Sequence, residues 1–257
     1  STRLYSTRLY STRLYSTHTD PRKRHMSDHA ALLQEAIEEL SSSSTSLSIS
    51  LPECLASADV LALSEAISRN QSILKLDLDL ERNVMKPDEV KTLFSALQHS
   101  ENVEELTVNL SACQLDAAGV LALVPFLERS SKLSKLTIHL SNNEIPFEGV
   151  KSLANALQAN QSITYLSLRL FESHITDDGL QVLGLGFQKN ASLTFLHLDV
   201  RGNEISSLGA ETFTSALREN RSLMQVVTDP PMGDLDEVLA RNASLKSGRS
   251  TKTCVIC

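Results

Sequence analysis

The chain has 257 residues and a mass of 28.2 kDa, which is enough for a buried core. Its 41% of apolar and 21% of charged residues are typical of a globular protein, and an aromatic content of only 4% predicts an aliphatic core. No apolar run approaches about 18 residues, which excludes a membrane-spanning helix, and four cysteines are too few for a disulfide scaffold. The net charge of −7 argues against general nucleic-acid binding.

The N-terminal segment is of low complexity, since the unit STRLY occurs three times before the basic stretch PRKRH. We expect residues 1–28 to be disordered, and Met26, the first methionine, would serve as a natural start. The basic stretch at residues 21–25 admits two interpretations. It is either a patch for nuclear localisation or for an acidic partner, or it is an ordinary solvated tail.

The folded domain is predicted over residues 29–245. Residues 29–40 carry apolar side chains at helical spacing and predict a capping helix, which a repeat protein needs to cover the end of its core. The serine-rich residues 41–46 then predict a flexible joint.

An internal repeat of thirty residues fills the centre of the chain. Six apolar residues open successive units at this spacing: Ile73, Val103, Leu133, Ile163, Leu193 and Leu223. Each of the first five is followed by three apolar residues at period two, which predicts a half-buried strand. The triplets are Leu76/Leu78/Leu80, Leu106/Val108/Leu110, Leu136/Ile138/Leu140, Leu166/Leu168/Leu170 and Leu196/Leu198/Val200, with an irregular earlier copy at Leu47/Ile49/Leu51. We therefore predict a parallel sheet of about six or seven strands with the leucines inside.

A second column marks the turn after each strand. Three positions past each triplet stand Cys54, Asn83, Cys113, Asn143, Ser173 and Asn203. An asparagine in such a turn can bond backbone groups of its own unit and of the neighbouring unit. We therefore assign Cys54 and Cys113 a structural role rather than a catalytic or metal-binding one.

The second half of each unit predicts a helix, as in the spacing of Val150, Leu153 and Leu157. A column of small residues would let these helices lie close to the sheet: Ala66, Ala96, Ala156, Gly186 and Ala216. Phe126 interrupts the column and predicts local repacking.

Asparagines in Asn-x-Ser triplets end several of these helices, because asparagine tolerates the left-handed conformation. The chain contains six formal glycosylation sequons: Asn70, Asn109, Asn160, Asn190, Asn220 and Asn242. Because four of them fall in one repeat column, we interpret them as structural.

The C-terminal part begins where Asp229-Pro230-Pro231 ends the last strand, since two prolines cannot join a ladder. A short closing helix is predicted at residues 234–241, and a flexible basic tail at residues 246–257. The final CVIC has the C-a-a-X form, so Cys254 is a candidate for prenylation, and Cys257 leaves the choice between farnesyl and geranylgeranyl open. An incidental tail and a C-x-x-C redox or metal pair are the alternatives.

The strand, the turn with asparagine and the helix, in about thirty residues, resemble the leucine-rich repeat. The long helix resembles the ribonuclease-inhibitor-like class, which includes Ran GTPase-activating protein and the sensor regions of Nod-like receptors. The resemblance covers residues 45–245. It implies an α/β right-handed solenoid in a partial horseshoe, with a parallel sheet on the concave face and helices on the convex face. This scaffold hosts many binding roles, so the fold alone does not indicate which one.

No catalytic motif accompanies the repeats. His139 and His197 occupy equivalent positions two strands apart, about 10 Å, which is too far to share a metal ion. We predict neither enzymatic activity, cofactor nor metal, but a monomeric, cytoplasmic protein–protein interaction scaffold that does not bind nucleic acid. Prenylation would tether it to the cytosolic side of a membrane. The alternative is a GTPase activator resembling Ran GTPase-activating protein, although no residue here matches a motif for that role.

The residues between the leucines predict the binding surface, because alternate side chains of a strand face outward. The first units are acid-rich, with Asp77, Asp79, Glu81 and Glu105. The later units gather the residue types that dominate interfaces. These candidate partner-binding residues are Tyr165, Arg169, Phe171, Phe195, His197 and Arg201. The alternative is a scatter of surface residues without a partner.

Overall fold

The computed structural model describes residues 21–51, 53, 55–100 and 102–246. This part of the chain contains seven strands, named β1 to β7: Ser46–Ser50, Lys75–Asp79, Glu105–Asn109, Lys135–His139, Tyr165–Arg169, Phe195–Asp199 and Gln225–Asp229. It contains nine helices, named α1 to α9: Pro21–Leu40, Ser57–Arg69, Pro87–His99, Ala117–Leu121, Val124–Arg129, Phe147–Ala159, Asp177–Lys189, Ser207–Glu219 and Asp236–Lys246.

The strands form one parallel sheet in sequence order, β1 to β7. From β2 to β7 each strand pairs with the next in a register of thirty residues, so that Leu136 lies opposite Leu166 and Leu166 opposite Leu196. All three side chains are at most 1% exposed. The predicted parallel sheet and its register are therefore confirmed, and the repeat period follows directly from the pairing.

The turn after each strand is held by the predicted asparagine column. The Asn143 amide nitrogen donates to the carbonyls of Leu110, at 2.8 Å, and Leu140, at 2.9 Å. Its oxygen accepts from the backbone N–H groups of Cys113 and Leu115 in the preceding unit. Cys113 is buried, and its thiol takes the asparagine's place by donating to a carbonyl of the preceding unit. The predicted structural role of this column is confirmed at Cys113, whereas Cys54 lies outside the described residues.

A second asparagine column ends the helices, but for a reason other than the one expected. Asn160, Asn190 and Asn220 have extended backbone, with φ near −67° and ψ of 131–145°, so they are not left-handed. Each amide nitrogen instead donates to carbonyls of the preceding unit, and each amide oxygen accepts from the two N–H groups that lead into the next strand. We call this column the asparagine ladder. Asn70 makes the same bonds earlier in the column, and the four members are at most 6% exposed, which supports the structural interpretation of these sequons.

The asparagine ladder is interrupted at two consecutive positions between Asn70 and Asn160. Ser100 and Ser130 occupy its thirty-residue positions, and the Ser130 hydroxyl bonds back to Phe126 in its own helix. The same unit has its helix split into α4 and α5, and the Phe126 ring packs edge-on against Phe94 at 5.3 Å between centroids. The expected local repacking at Phe126 is therefore present. A cavity of about 250 Å³, lined among others by Ser100, Ser130 and Phe126, marks the gap.

Substitution of Ser130 by asparagine is expected to stabilise the protein by about 1 kcal/mol, the typical net contribution of a hydrogen bond. The backbone at Ser130 is already extended, with φ −64° and ψ 111°, as at the ladder positions. The longer side chain can therefore bond carbonyls of the preceding unit across the cavity, as Asn160 does. Urea unfolding measures the gain, and Ser131→Asn at the neighbouring position is the control; equal gains in both variants would contradict the ladder explanation.

At Gly186 the small residue lets α7 lie close to a neighbouring helix rather than to the sheet, which corrects our expectation for this position. A Cβ atom at Gly186 in α7 would lie 2.7 Å from the backbone oxygen of Ala154 in α6. A Cβ atom at Gly184 would lie 3.2 Å from that of Ala216 in α8. Small residues therefore allow consecutive helices to approach closely.

The two ends of the domain extend beyond the predicted helices. α1 begins at Pro21 rather than at residue 29, and α9 covers Asp236–Lys246 rather than residues 234–241. β7 ends at Asp229, immediately before the two prolines, as predicted. In the described part of the chain, no helix combines the length and apolarity needed to cross a membrane.

Candidate functional site

The side of the sheet opposite the buried leucines carries the candidate residues, and we call it the open face. Three side chains of each strand point to it, and the register places equivalent ones side by side. The Lys75–Tyr165–Phe195 level lies at the start of the strands, and the His139–Arg169–Asp199 level lies at their end. Two residues of the open face, Ser167 and Asp199, were expected to face solvent. They are instead buried, with exposures of 3% and 5%.

A stacked aromatic pair dominates the level at the start of the strands. The rings of Tyr165 and Phe195 are parallel within 1°, with 4.2 Å between centroids, and both are half-buried. The Lys135 ammonium lies 5.1 Å from the Tyr165 ring centroid and 3.8 Å from a Glu105 oxygen. Lys75 pairs with the other oxygen of Glu105 at 2.5 Å. The result is a flat aromatic platform with a charged row on one side.

His197 lies between the two levels and links three strands. Its Nδ1 is 3.2 Å from the Ser167 hydroxyl, and its Nε2 is 2.9 Å from an Asp229 oxygen. These residue types also form hydrolase triads. Here, however, Ser167 is buried in the middle of a strand whose backbone is paired on both sides. Among the described residues, this arrangement therefore offers neither an accessible nucleophile nor free backbone amides to stabilise an oxyanion. Its two hydrogen bonds instead hold the His197 imidazole ring in place.

A second cation–aromatic contact lies beyond the ends of the strands. The Arg201 guanidinium lies 6.0 Å from the Phe171 ring centroid and binds both oxygens of Asp199, at 2.9 and 2.7 Å. The bidentate hydrogen bond from Arg201 lowers the pKa of Asp199 and explains how this carboxylate is buried without loss of its charge. Arg201 covers Asp199 and itself remains exposed.

Arg169 lies exposed between these groups, at the level of His139 and Asp199. Burial, and to a smaller extent the charge of Arg169, lowers the pKa of the His139 imidazole from 6.5 to about 4. Asp79 opposes this shift, and His197 adds to it. His139 is therefore neutral at pH 7.

The depressed pKa of His139 predicts a pH-dependent stability. The unfolded chain binds a proton at His139 near pH 6.5, whereas the folded chain binds it only near pH 4. The free energy of unfolding should therefore decrease as the pH falls through this window. Urea unfolding at a series of pH values tests this, with His139→Gln as the comparison. The variant should show a shallower decrease, and an identical pH profile would contradict the assignment.

The six candidate residues thus form two contact groups with Arg169 and His197 between them. Tyr165 and Phe195 stack at the start of the strands, and Phe171 and Arg201 meet beyond their end. About 13 Å separate Tyr165 from Arg169 along the strand, at about 3.3 Å per residue. The candidate set left out Asp229, which bonds His197, and Lys135, which lies over the Tyr165 ring. The repeat period offered a signal for both, because it places them in the strands next to their partners.

Other candidates lie elsewhere. A cavity of about 250 Å³ opens on the acid-rich half of the open face, lined among others by Lys75, Asp77 and Thr107. Burial raises the pKa of the Cys113 thiol to about 12, so this thiol is unreactive at neutral pH. In the described ranges, no three histidine, cysteine or acidic side chains cluster closely enough to hold a metal ion. The proposed lipidation site, Cys254, lies outside the described residues.

Comparison with known proteins agrees with the architecture. Residues 191–213, which span β6 and the first half of α8, match the leucine-rich-repeat family model. The repeated strand, asparagine turn and helix have the architecture of the leucine-rich repeat, and this match to one unit supports that assignment.

Two solved structures illustrate the range of likeness. Actin-binding site 2 of leiomodin-1 is 12% identical with a TM-score of 0.36, and covers 84% of this chain and 92% of its own. The C-terminal domain of tropomodulin from Caenorhabditis elegans is 14% identical with a TM-score of 0.39, and covers 84% and 96%. Likenesses of this size do not indicate a shared partner. No curated protein matches the sequence.

Proposed function

We propose that the protein is a non-catalytic scaffold that binds a protein partner on the open face of β4 to β7. The observation that carries this proposal is the half-buried stack of Tyr165 on Phe195, on a face that is otherwise mostly polar. Aromatic residues make up only 4% of the chain, so two of them stacked on one surface are a notable concentration. Aromatic platforms next to arginine are typical anchors of protein interfaces.

The platform is held in place before any partner arrives. The Lys135 ammonium lies 5.1 Å from the Tyr165 ring centroid, and the strand register places Phe195 beside Tyr165, where the two rings stack. His197 is fixed in turn by Ser167 and Asp229. A surface with this little side-chain freedom loses little conformational entropy on binding, which favours affinity.

The double substitution Tyr165→Ala and Phe195→Ala is expected to abolish partner binding. Loss of the ring–ring contact should cost about 0.5–1.5 kcal/mol of stability beyond the loss of the area that each half-buried ring covers, and thermal unfolding verifies that the fold persists. The measurement is affinity capture with the full chain from source lysate, followed by quantitative mass spectrometry.

Phe147→Ala provides a matched control, because Phe147 is an exposed aromatic on α6 and also has a lysine near its ring. Proteins retained by wild type and by Phe147→Ala, but not by the double variant, are the expected partners. An unchanged set of captured proteins in the double variant would overturn the proposal.

Finer parts of the proposal rest on the sequence. Membership of the ribonuclease-inhibitor-like class, a monomeric state, a cytoplasmic location and a membrane tether at Cys254 remain predictions. The GTPase-activator alternative also remains a prediction, and stimulated phosphate release from Ran and GTP would favour it over the scaffold.

A further inference from the structure

The open face carries an exposed guanidinium whose charge the surrounding side chains do not balance. Arg169 is exposed at the end of β5, and among the described residues it forms no ion pair. Arg201 is the neighbouring cation in the next unit, and its guanidinium donates to both carboxylate oxygens of Asp199. Lys135 is likewise paired with Glu105. Arg169 therefore differs from the cations around it.

The neighbours of Arg169 in the register leave its fork available. On one side lies His139, which is neutral at pH 7, and on the other lies Asp199, whose two oxygens are already occupied by Arg201. Asp229, one strand further, is bound to His197. The acids of this half of the open face are thus satisfied internally. A guanidinium presents parallel donors that match a carboxylate in a bidentate geometry.

The acid-rich half of the same face limits where an anion can bind. Asp77 and Asp79 lie in β2, Glu81 follows two residues beyond its end, and the whole chain carries −7. An acidic polymer is therefore not attracted by the overall charge, and its binding would report a local site.

We propose that Arg169 is the anchor for an acidic side chain of the partner protein, next to the aromatic platform of Tyr165 and Phe195. This inference rests on the proposed function and specifies the partner's chemistry. The distance of about 13 Å between platform and Arg169 corresponds to about four residues of an extended chain. The partner segment therefore carries an apolar or aromatic residue and an aspartate or glutamate about four positions apart.

Fluorescein-labelled copolymers of glutamate with tyrosine and of lysine with tyrosine test this chemistry by fluorescence anisotropy with the full chain. The glutamate copolymer should bind, and Arg169→Gln should weaken it by about tenfold or more. Arg169→Lys should restore only part of the affinity, because an ammonium lacks the bidentate fork. Arg218→Gln removes an exposed cation on α8 and should leave binding unchanged. Thermal unfolding of each variant verifies the fold.

Three results would overturn the proposal. The first is that wild type and Arg169→Gln bind the glutamate copolymer with equal affinity. The second is that only the lysine copolymer binds. The third is that inorganic phosphate displaces the glutamate copolymer whereas acetate at equal ionic strength does not. The last result would identify a phosphate group as the ligand. If Tyr165→Ala/Phe195→Ala abolishes partner capture but Arg169→Gln does not, the scaffold function stands and only this inference fails.

Discussion

Replacement of Leu166 by alanine is expected to lower the free energy of unfolding by about 2–5 kcal/mol, the usual cost of a large-to-small change in a packed core. Leu166 is 1% exposed and lies in β5, in the middle of a single continuous core. Leucines of both neighbouring strands face it in the register, so the cavity cannot easily collapse.

Urea unfolding of the two forms measures this loss. Leu208→Ala is the matched control, because Leu208 is 70% exposed on α8 and its truncation should change stability by less than about 0.5 kcal/mol. Comparable losses in both variants would show that Leu166 does not lie in the core and that the register is wrong.

Replacement of Asn190 by alanine is expected to lower the free energy of unfolding by about 3 kcal/mol or more, although it removes a polar side chain from a buried position. Its amide nitrogen donates to the carbonyls of Leu157 and Asn160, and its oxygen accepts from the N–H groups of Ser192 and Leu193. Each buried group left without a partner costs about 1–3 kcal/mol. Because these bonds connect two units, the loss should also reduce the cooperativity between them.

The control is Asn102→Ala, which removes two exposed hydrogen bonds, one donated to the Gln71 carbonyl and one accepted from Lys132. This variant should lose no more than about 0.5–1.5 kcal/mol. Denaturant unfolding and hydrogen exchange measure both, and a loss at Asn190 no greater than at Asn102 would contradict the role of the asparagine ladder.

The positions of the strands could be predicted from the sequence because burial alone determines them. Leucines at period two can face a core only from a strand, and the spacing of thirty residues leaves one register that stacks them. The turn column was predictable for the same reason, since the role of Asn143 depends on backbone groups that every unit provides.

The remaining features depend on side-chain conformations that no period specifies. An asparagine can end a helix with either an extended or a left-handed backbone. The sequence therefore predicted that Asn190 ends its helix but gave the wrong backbone conformation. Asp199 is at an outward-facing position and is nevertheless buried, with both of its oxygens bound by Arg201. The sequence predicted that Tyr165 and Phe195 lie near each other on one face. Their parallel stacking, and their separation from Phe171 and Arg201, were visible only in the fold.

Site-specific photo-crosslinking tests the central claim most directly. A photoreactive phenylalanine analogue is placed at Phe195 on the open face or at Leu208 on the exposed side of α8, and the full chain is irradiated in source lysate. The account predicts a discrete crosslinked partner from position 195 that is absent from position 208. Crosslinks from position 208 alone would place the binding surface on the helices and contradict the account.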